Sequence, residues 1–179
     1  MEHNPPTTSQ AAVLTSPENG THQFRSAARL FASGVGVVAA QADDRILAKT
    51  VSSFSSVSLD PPLISVCIGS GAPLLSALRR SGSFTVSILR STQHRISAAL
   101  SAPGSGHAGT EALGIATTPS RSGAAVIDGY LSYFDCGVEN LFDGGDHTIV
   151  IGRVVGADSV EGEPLLYFDG GYRRLHIPS

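Results

Sequence analysis

The 179-residue chain has no tryptophan, one methionine, two cysteines and a single lysine, and these scarcities exclude several classes of function. Cys67 and Cys136 stand far apart, so neither a CxxC redox pair nor a thiolate zinc cage can be assembled, and each reads as a small buried residue. Lys49 is the one lysine and GxxxxGK[ST] is absent, which removes a Walker-type nucleotide site. Basic excess is missing too: the formal charge is -3 and the pI about 6.0, so no nucleic-acid partner is expected. No run reaches the ~20 apolar residues of a spanning helix, and the polar start Met1-Glu2-His3-Asn4 lacks the regions of a signal peptide. No membrane association is expected, and a cytoplasmic location follows. The stretch Gly69-Ser70-Gly71-Ala72-Pro73-Leu74 begins like GxGxxG but puts leucine at the third glycine, which argues against a Rossmann dinucleotide site. GxSxG is absent, and the six histidines show no i, i+4 or HxH pairing. Those absences speak against a serine hydrolase and a histidine metal site.

What is present suits one globular domain: 41% hydrophobic and 15% charged residues. Residues 1–21, rich in Pro, Thr, Ser and Asn without apolar periodicity, read as a disordered tail, and 22–179 as the domain. Phe24, Ala27, Ala28 and Phe31 follow i, i+3, i+4, i+7 spacing, which predicts a short amphipathic helix ended by Gly34. Strands are predicted at 35–40, 46–50, 63–68, 84–89, 131–138, 148–155 and 165–168, from β-branched or aromatic runs bounded by turn residues. Two short helices interrupt them: Pro73 to Arg80, with Leu75 and Leu78 inward, and Thr92 to Ser101, capped by Thr92. Residues 102–124 read as a long irregular loop, of the kind that is more often functional than idle. Because regular βα alternation is missing, the fold class is mainly β, a closed antiparallel barrel.

Three segments carry candidate chemistry. Thr50-Val51-Ser52-Ser53-Phe54-Ser55-Ser56-Val57-Ser58-Leu59-Asp60-Pro61-Pro62 offers hydroxyls and amides at a barrel rim. It reads either as a bland serine-rich loop or as a neutral cradle for phosphate or carbonyl oxygens. Asp143-Gly144-Gly145-Asp146-His147-Thr148 puts an imidazole at a strand mouth behind two glycines, where it is either structural or faces a cavity. Pro164 to Leu175 forms a hairpin-like unit with Arg173 and Arg174. Spacing does not decide whether these arginines solubilise an edge or hold a phosphate or carboxylate.

In their order, Ser33-Gly34-Val35, TVSSFSSVSLDPPL, the Gly-Ser-Phe-Thr-Val-Ser-Ile-Leu stretch at 82–89, GDHTIVIGRV and EPLLYFDGGYRRL resemble the flavin reductase family. These are the short-chain NAD(P)H:flavin oxidoreductases with an FMN-binding split barrel, and the resemblance runs from about Phe24 to Leu175. It implies a six-stranded antiparallel Greek-key split β-barrel with a few short helices, forming a homodimer with each flavin in a groove at the subunit interface. It implies that Thr50, Val51, Ser52 and Ser53 hold the flavin, and that Cys67, Ile68, Gly69, Ser83 and Phe84 complete the wall. His147 falls on the family's catalytic Gly-Asp-His histidine, at the face where the nicotinamide stacks, and Tyr172 and Arg173 match the closing motif near the pyridine nucleotide. The chain departs from the family at Ala48-Lys49, where Gly-Met is usual; Lys49 then holds a flavin phosphate, holds an NAD(P)H phosphate or points to solvent. The implied activity is reduction of FMN or FAD by NADH or NADPH, with reduced flavin supplied to a partner monooxygenase. The alternatives are an oxidoreductase that keeps its FMN and passes electrons to an acceptor such as ferric iron, and a non-catalytic flavin-binding module.

Overall fold

The run Gly36-Val37-Val38-Ala39-Ala40 is buried throughout. A strand with no solvent face needs a layer on each side, and that requirement organises the molecule. The computed structural model describes residues 17–175. Most of the expected tail, residues 1–16, lies outside the described residues. In chain order the elements are α1 (Pro17–Ala28), β1 (Ser33–Gly34), β2 (Gly36–Ala42), β3 (Arg45–Val51), β4 (Ser55–Leu59), β5 (Pro62–Gly69), α2 (Pro73–Ser81) and β6 (Ser83–Ile88). They continue with α3 (His94–Ser101), β7 (Thr117–Pro119), β8 (Ala125–Ile127), β9 (Ser132–Gly144), β10 (His147–Ser159), β11 (Leu166–Phe168) and β12 (Gly171–Arg173).

The main sheet has the order β3-β2-β6-β9-β10-β5-β4, and each pairing in it is antiparallel. The expected mainly-β architecture is what forms, with β4 added to six strands as a hairpin partner of β5. The two ends of the sheet approach each other: just past β3, Ser53 Oγ accepts a hydrogen bond from the Cys67 amide of β5 at 2.8 Å. A three-stranded sheet, β1-β11-β12, sits apart from the main one. Reciprocal backbone bonds knit the two together, from Val35 N to Leu165 O, Leu165 N to Leu89 O and Leu89 N to Val35 O.

Strand alternation sorts two cores. Val38, Ala40 and Leu47 join Val66, Phe84, Val150 and the apolar face of α2 (Leu74, Leu75, Ala77, Leu78) in one. Val37, Ala39 and Ala48 join Leu89, Leu100 of α3, Ile127 and Leu165 in the other. The same alternation in β6 sends Phe84 and Val86 to the first core and Thr85 and Ser87 to the opposite face, where both are fully buried. There the two hydroxyls grip β8: Thr85 Oγ1 donates to Ala125 O, and the Ile127 amide donates to Ser87 Oγ. Gly152 of β10 is required where Phe84 crosses it, since a Cβ there would lie 2.5 Å from Phe84 Cζ.

Three local differences from the sequence expectation have physical causes. The first helix starts at Pro17, inside the segment read as tail, and its expected apolar stripe is uncovered: Phe24 is 64% exposed, and Phe31, just beyond the helix, 81%. Thr92 does not cap a helix: it lies in a 3-10 turn at Ser91–Gln93, closed by Gln93 Oε1 accepting from the Arg90 amide at 2.9 Å, and α3 follows from His94 with no side-chain cap. Residues 102–124 hold two 3-10 turns and β7. They are tied to β3 by the Thr110 amide, which donates to Ile46 O.

Candidate functional site

A groove of about 240 Å³ opens where β3 ends, between α3 and the β11-β12 hairpin. Val35 and Val51 give it an apolar surface, Thr50, Ser52, Ser97 and Ser101 bring hydroxyls, and Tyr167 and Tyr172 form an aromatic wall. The wall follows from hairpin register: Tyr167 and Tyr172 are directly opposed, so both rings lie on one face and meet edge-on with centroids 5.8 Å apart. The turn that sets this register needs two left-handed residues, supplied by Asp169 (φ 48°) and Gly170 (φ 75°). Arg29 fixes the turn from outside, its Nε 2.8 Å from Asp169 Oδ1 and its carbonyl accepting from the Asp169 amide.

Ser97 joins the three sides of the groove. Its carbonyl accepts from Thr50 Oγ1 at 3.0 Å and from Ser101 Oγ at 2.7 Å, and its Oγ accepts from the Tyr172 hydroxyl at 2.9 Å. Beside the groove, sharing Tyr172 with it, a depression of about 230 Å³ is lined by Ser91, His94, Leu165, Arg173 and Arg174. Among the described residues no carboxylate lines it. Asp169, the acid of the hairpin, is engaged by Arg29 instead. Arg173 Nη1 donates to the Tyr172 carbonyl at 3.0 Å, folding back over Gly171, where a Cβ would lie 2.6 Å from it.

The structure brings four expected residues, Thr50, Val51, Ser52 and Tyr172, to one groove, with Arg173 at its edge. Of the two serines, Ser52 is exposed, and its hydroxyl makes no hydrogen bond among the described residues. Ser53 is occupied by Cys67. Lys49 shares a face with Leu47 and Val51, opposite to Thr50, and does not line the groove. Ile68 and Phe84, expected in its wall, are core side chains, 2% and 0% exposed, because their positions in β5 and β6 alternate inward. Ser83 is also engaged elsewhere, its Oγ donating to Ser122 O at 3.2 Å.

His147 opens β10 at the outer face, paired with Gly69 of β5. Register relates it to the groove: Ser53 is tied to Cys67, Cys67 pairs with Ile149, and His147 is two residues before Ile149 on the same face. Its Nδ1 lies 2.7 Å from Asp146 Oδ1, and this hydrogen bond holds the Asp146 carboxyl below the usual carboxylate range. Cys136 is fully buried, and burial, aided by Asp135, pushes its thiol up to about 12, far from any nucleophilic role. Among the described residues no cluster of His, Cys, Asp or Glu is placed to hold a metal, and no helix is long and apolar enough to cross a membrane.

Residues 28–176 match the sequence profile of the flavin reductase like domain. The chain belongs to the flavin reductase family. Among curated relatives of this flavin reductase domain is the reductase component of 4-hydroxyphenylacetate 3-monooxygenase from Thermus thermophilus, 40% identical over 157 residues, covering 87% of this chain and 97% of the relative. Among solved structures, the flavin reductase component of a bacterial two-component tryptophan halogenase superposes with a TM-score of 0.81 at 33% identity, over 88% of this chain and 99% of that one. An NADH:FAD oxidoreductase from Streptomyces globisporus, solved in complex with NAD and FAD fragments, superposes with a TM-score of 0.81 at 30% identity, over 92% and 98%.

Sequence reasoning missed Val35, Ser97, Ser101 and Tyr167 in the groove, and His94 beside it. The one available signal for the serines was their i, i+4 spacing on α3, which puts both hydroxyls on one helix face.

Proposed function

We propose that the chain is an NAD(P)H:flavin oxidoreductase that reduces FMN or FAD and releases it to a separate monooxygenase component, working as a homodimer. The observation that carries this reading is the make-up of the groove: apolar residues, neutral hydroxyls and two tyrosine rings, with no carboxylate, thiol or imidazole lining it among the described residues. Such a surface suits a planar heterocycle bearing carbonyl and ring-nitrogen groups. It offers no general base, and hydride transfer between two rings needs none.

When bound, the flavin and the nicotinamide supply the two-electron chemistry. The residues of this chain bind and orient. Val35, Val51 and the tyrosine wall present apolar and aromatic surface to a ring, and Ser52 presents an unpaired hydroxyl to its polar edge. Arg173 and Arg174 form a cationic margin for phosphate, with His94 beside them, and among the described residues no carboxylate lines that margin. His147 orients the nicotinamide, and the register path from Ser53 through Cys67 and Ile149 supports a site that continues along the outer face of β5 and β10 toward it. The groove volume falls below the range of about 300 to 1,000 Å³ typical of ligand pockets. A second copy that covers the remaining face supports both a complete site and the release of reduced flavin.

Oxidation of NADH and NADPH by the purified protein, followed with FMN, FAD or riboflavin in molar excess, tests the reading and ranks the substrates. Catalytic oxidation that depends on added flavin is the expected result, and its absence with all three flavins refutes the assignment. His147→Ala should leave flavin binding unchanged while slowing reduction by on the order of a hundredfold or raising the KM for NAD(P)H. Unaltered rate and saturation would make His147 a rim residue.

A further inference from the structure

Ser97 is 1% exposed yet lines the groove. Its Oγ accepts the Tyr172 hydroxyl at 2.9 Å, while its own hydroxyl hydrogen is donated to no group among the described residues. Buried hydroxyls normally donate as well as accept, so this unused donor, held at the groove surface, points to an acceptor on whatever the groove contains. The surroundings define that acceptor. Val35, Val51 and the two tyrosine rings are neutral, Lys49 does not line the groove, and Arg173 and Arg174 lie in the neighbouring depression. The partner is therefore a neutral oxygen carried by a planar ring.

We infer that Ser97 is a ligand-contacting residue, donating a hydrogen bond to a carbonyl oxygen of the heterocycle in the groove, with Tyr172 donating to it from behind. The chain Tyr172 O–H to Ser97 Oγ–H to carbonyl is cooperative, each donor polarising the next. Tyr172 then has two tasks, its ring forming the wall and its hydroxyl strengthening the Ser97 donor. Thr50 and Ser101 hold the Ser97 carbonyl from the other side and so fix the backbone that carries the hydroxyl. This assignment rests on the flavin reductase reading, which leaves two sources for the carbonyl: the pyrimidine ring of the flavin and the carboxamide of the nicotinamide.

The test uses the full chain. FMN affinity is titrated by fluorescence without nucleotide, and steady-state kcat and KM for the pyridine nucleotide are measured for wild type, Ser97→Ala, Ser97→Cys, Tyr172→Phe and the Ser97→Ala/Tyr172→Phe double variant. Ser97→Cys fills the same space with a poor donor, so it separates a lost hydrogen bond from a lost contact. Ser97→Ala and Ser97→Cys should each weaken binding by about tenfold, with kcat changed less than KM. Tyr172→Phe should act in the same direction but less strongly, and the double variant should be no worse than Ser97→Ala alone. Weaker FMN binding identifies the flavin carbonyl; unchanged FMN affinity with a raised nucleotide KM identifies the carboxamide. If Ser97→Ala fails to fold, Ser97→Cys decides alone. A cooperatively folded Ser97→Cys with unchanged FMN affinity and unchanged KM overturns the inference and leaves Ser97 a structural hub. A wild-type protein that binds FMN but does not oxidise NAD(P)H refutes the reductase reading, and the FMN titration of the variants still judges the Ser97 donor.

Discussion

Ser52 and Ser53 are neighbours of one residue type, but the end of β3 gives them different work. Ser53 accepts the Cys67 amide and so closes the gap between the two ends of the sheet, whereas Ser52 is exposed at the groove with its hydroxyl free. Removing the Ser53 hydroxyl strands a β5 amide, which costs about 1 to 3 kcal/mol. Ser53→Ala should therefore lower the urea midpoint, with the slope unchanged. Ser52→Ala should stay within about 0.5 kcal/mol of wild type and weaken flavin binding instead. Equal stability of the two variants would contradict this division. The resemblance to the flavin reductase family, carried by the dense hydroxyl segment and the closing hairpin, pointed to Thr50, Val51, Ser52 and Tyr172, whereas spacing alone left the serine segment open between a bland loop and an anion cradle. It could not separate Ser52 from Ser53, since what distinguishes them is a cross-sheet partner 14 residues away. Ser97 was hard to read for the same reason: its i, i+4 spacing to Ser101 puts two hydroxyls on one face of α3, but nothing along the chain shows that β3 and β12 arrive beside that face.

Elements were readable where burial imposes a period. The continuous apolar run of β2, the alternation in β6 and the apolar face of α2 each state which layers lie beside them. β4 was not readable, because an edge strand with exposed Ser55, Ser56 and Val57 has no inward face to reveal its alternation. The stretch 120–123 lies in the expected loop but forms the turn of the β7-β8 hairpin, where the Ser120 amide donates to Ala124 O, and a side chain outside it adds to its order. Buried Asp135 of β9 accepts from the Ser120 and Ser122 hydroxyls and from the Ser122 amide. That carboxylate pins the loop to the barrel wall. Asp135→Ala should release it and expose the bond after Arg121 to trypsin, with cleavage there at least several-fold faster than in wild type and preceding global unfolding. Cleavage at the wild-type rate would show that the loop is held by other contacts.

The molecule as a whole presents more apolar surface than one copy uses. Phe24, Leu30 and Phe31 near the start of the domain, and Leu59 on the edge strand, are exposed, and the groove, at about 240 Å³, is smaller than the ~300 Å³ at which ligand pockets usually begin. The proposed second copy would cover both, and light scattering should then report about twice 18.4 kDa; a monomer that reduces flavin at full rate would remove the interface from the site. The fold class, the antiparallel order and family membership were legible because they rest on patterns spread over most of the chain. The joining of groove, hairpin and α3 was not, because it depends on contacts between distant segments. On the function proposed above, this chain moves electrons from a reduced pyridine nucleotide to flavin with neutral groove residues, no acid or base lining the groove among the described residues. Anaerobic rapid mixing of the protein with NADH or NADPH and a tenfold or greater excess of FMN or FAD tests it most directly. Complete loss of oxidised-flavin absorbance over many turnovers per protein chain is expected with at least one pairing. Bleaching no faster than in protein-free mixtures, for every pairing, would contradict it.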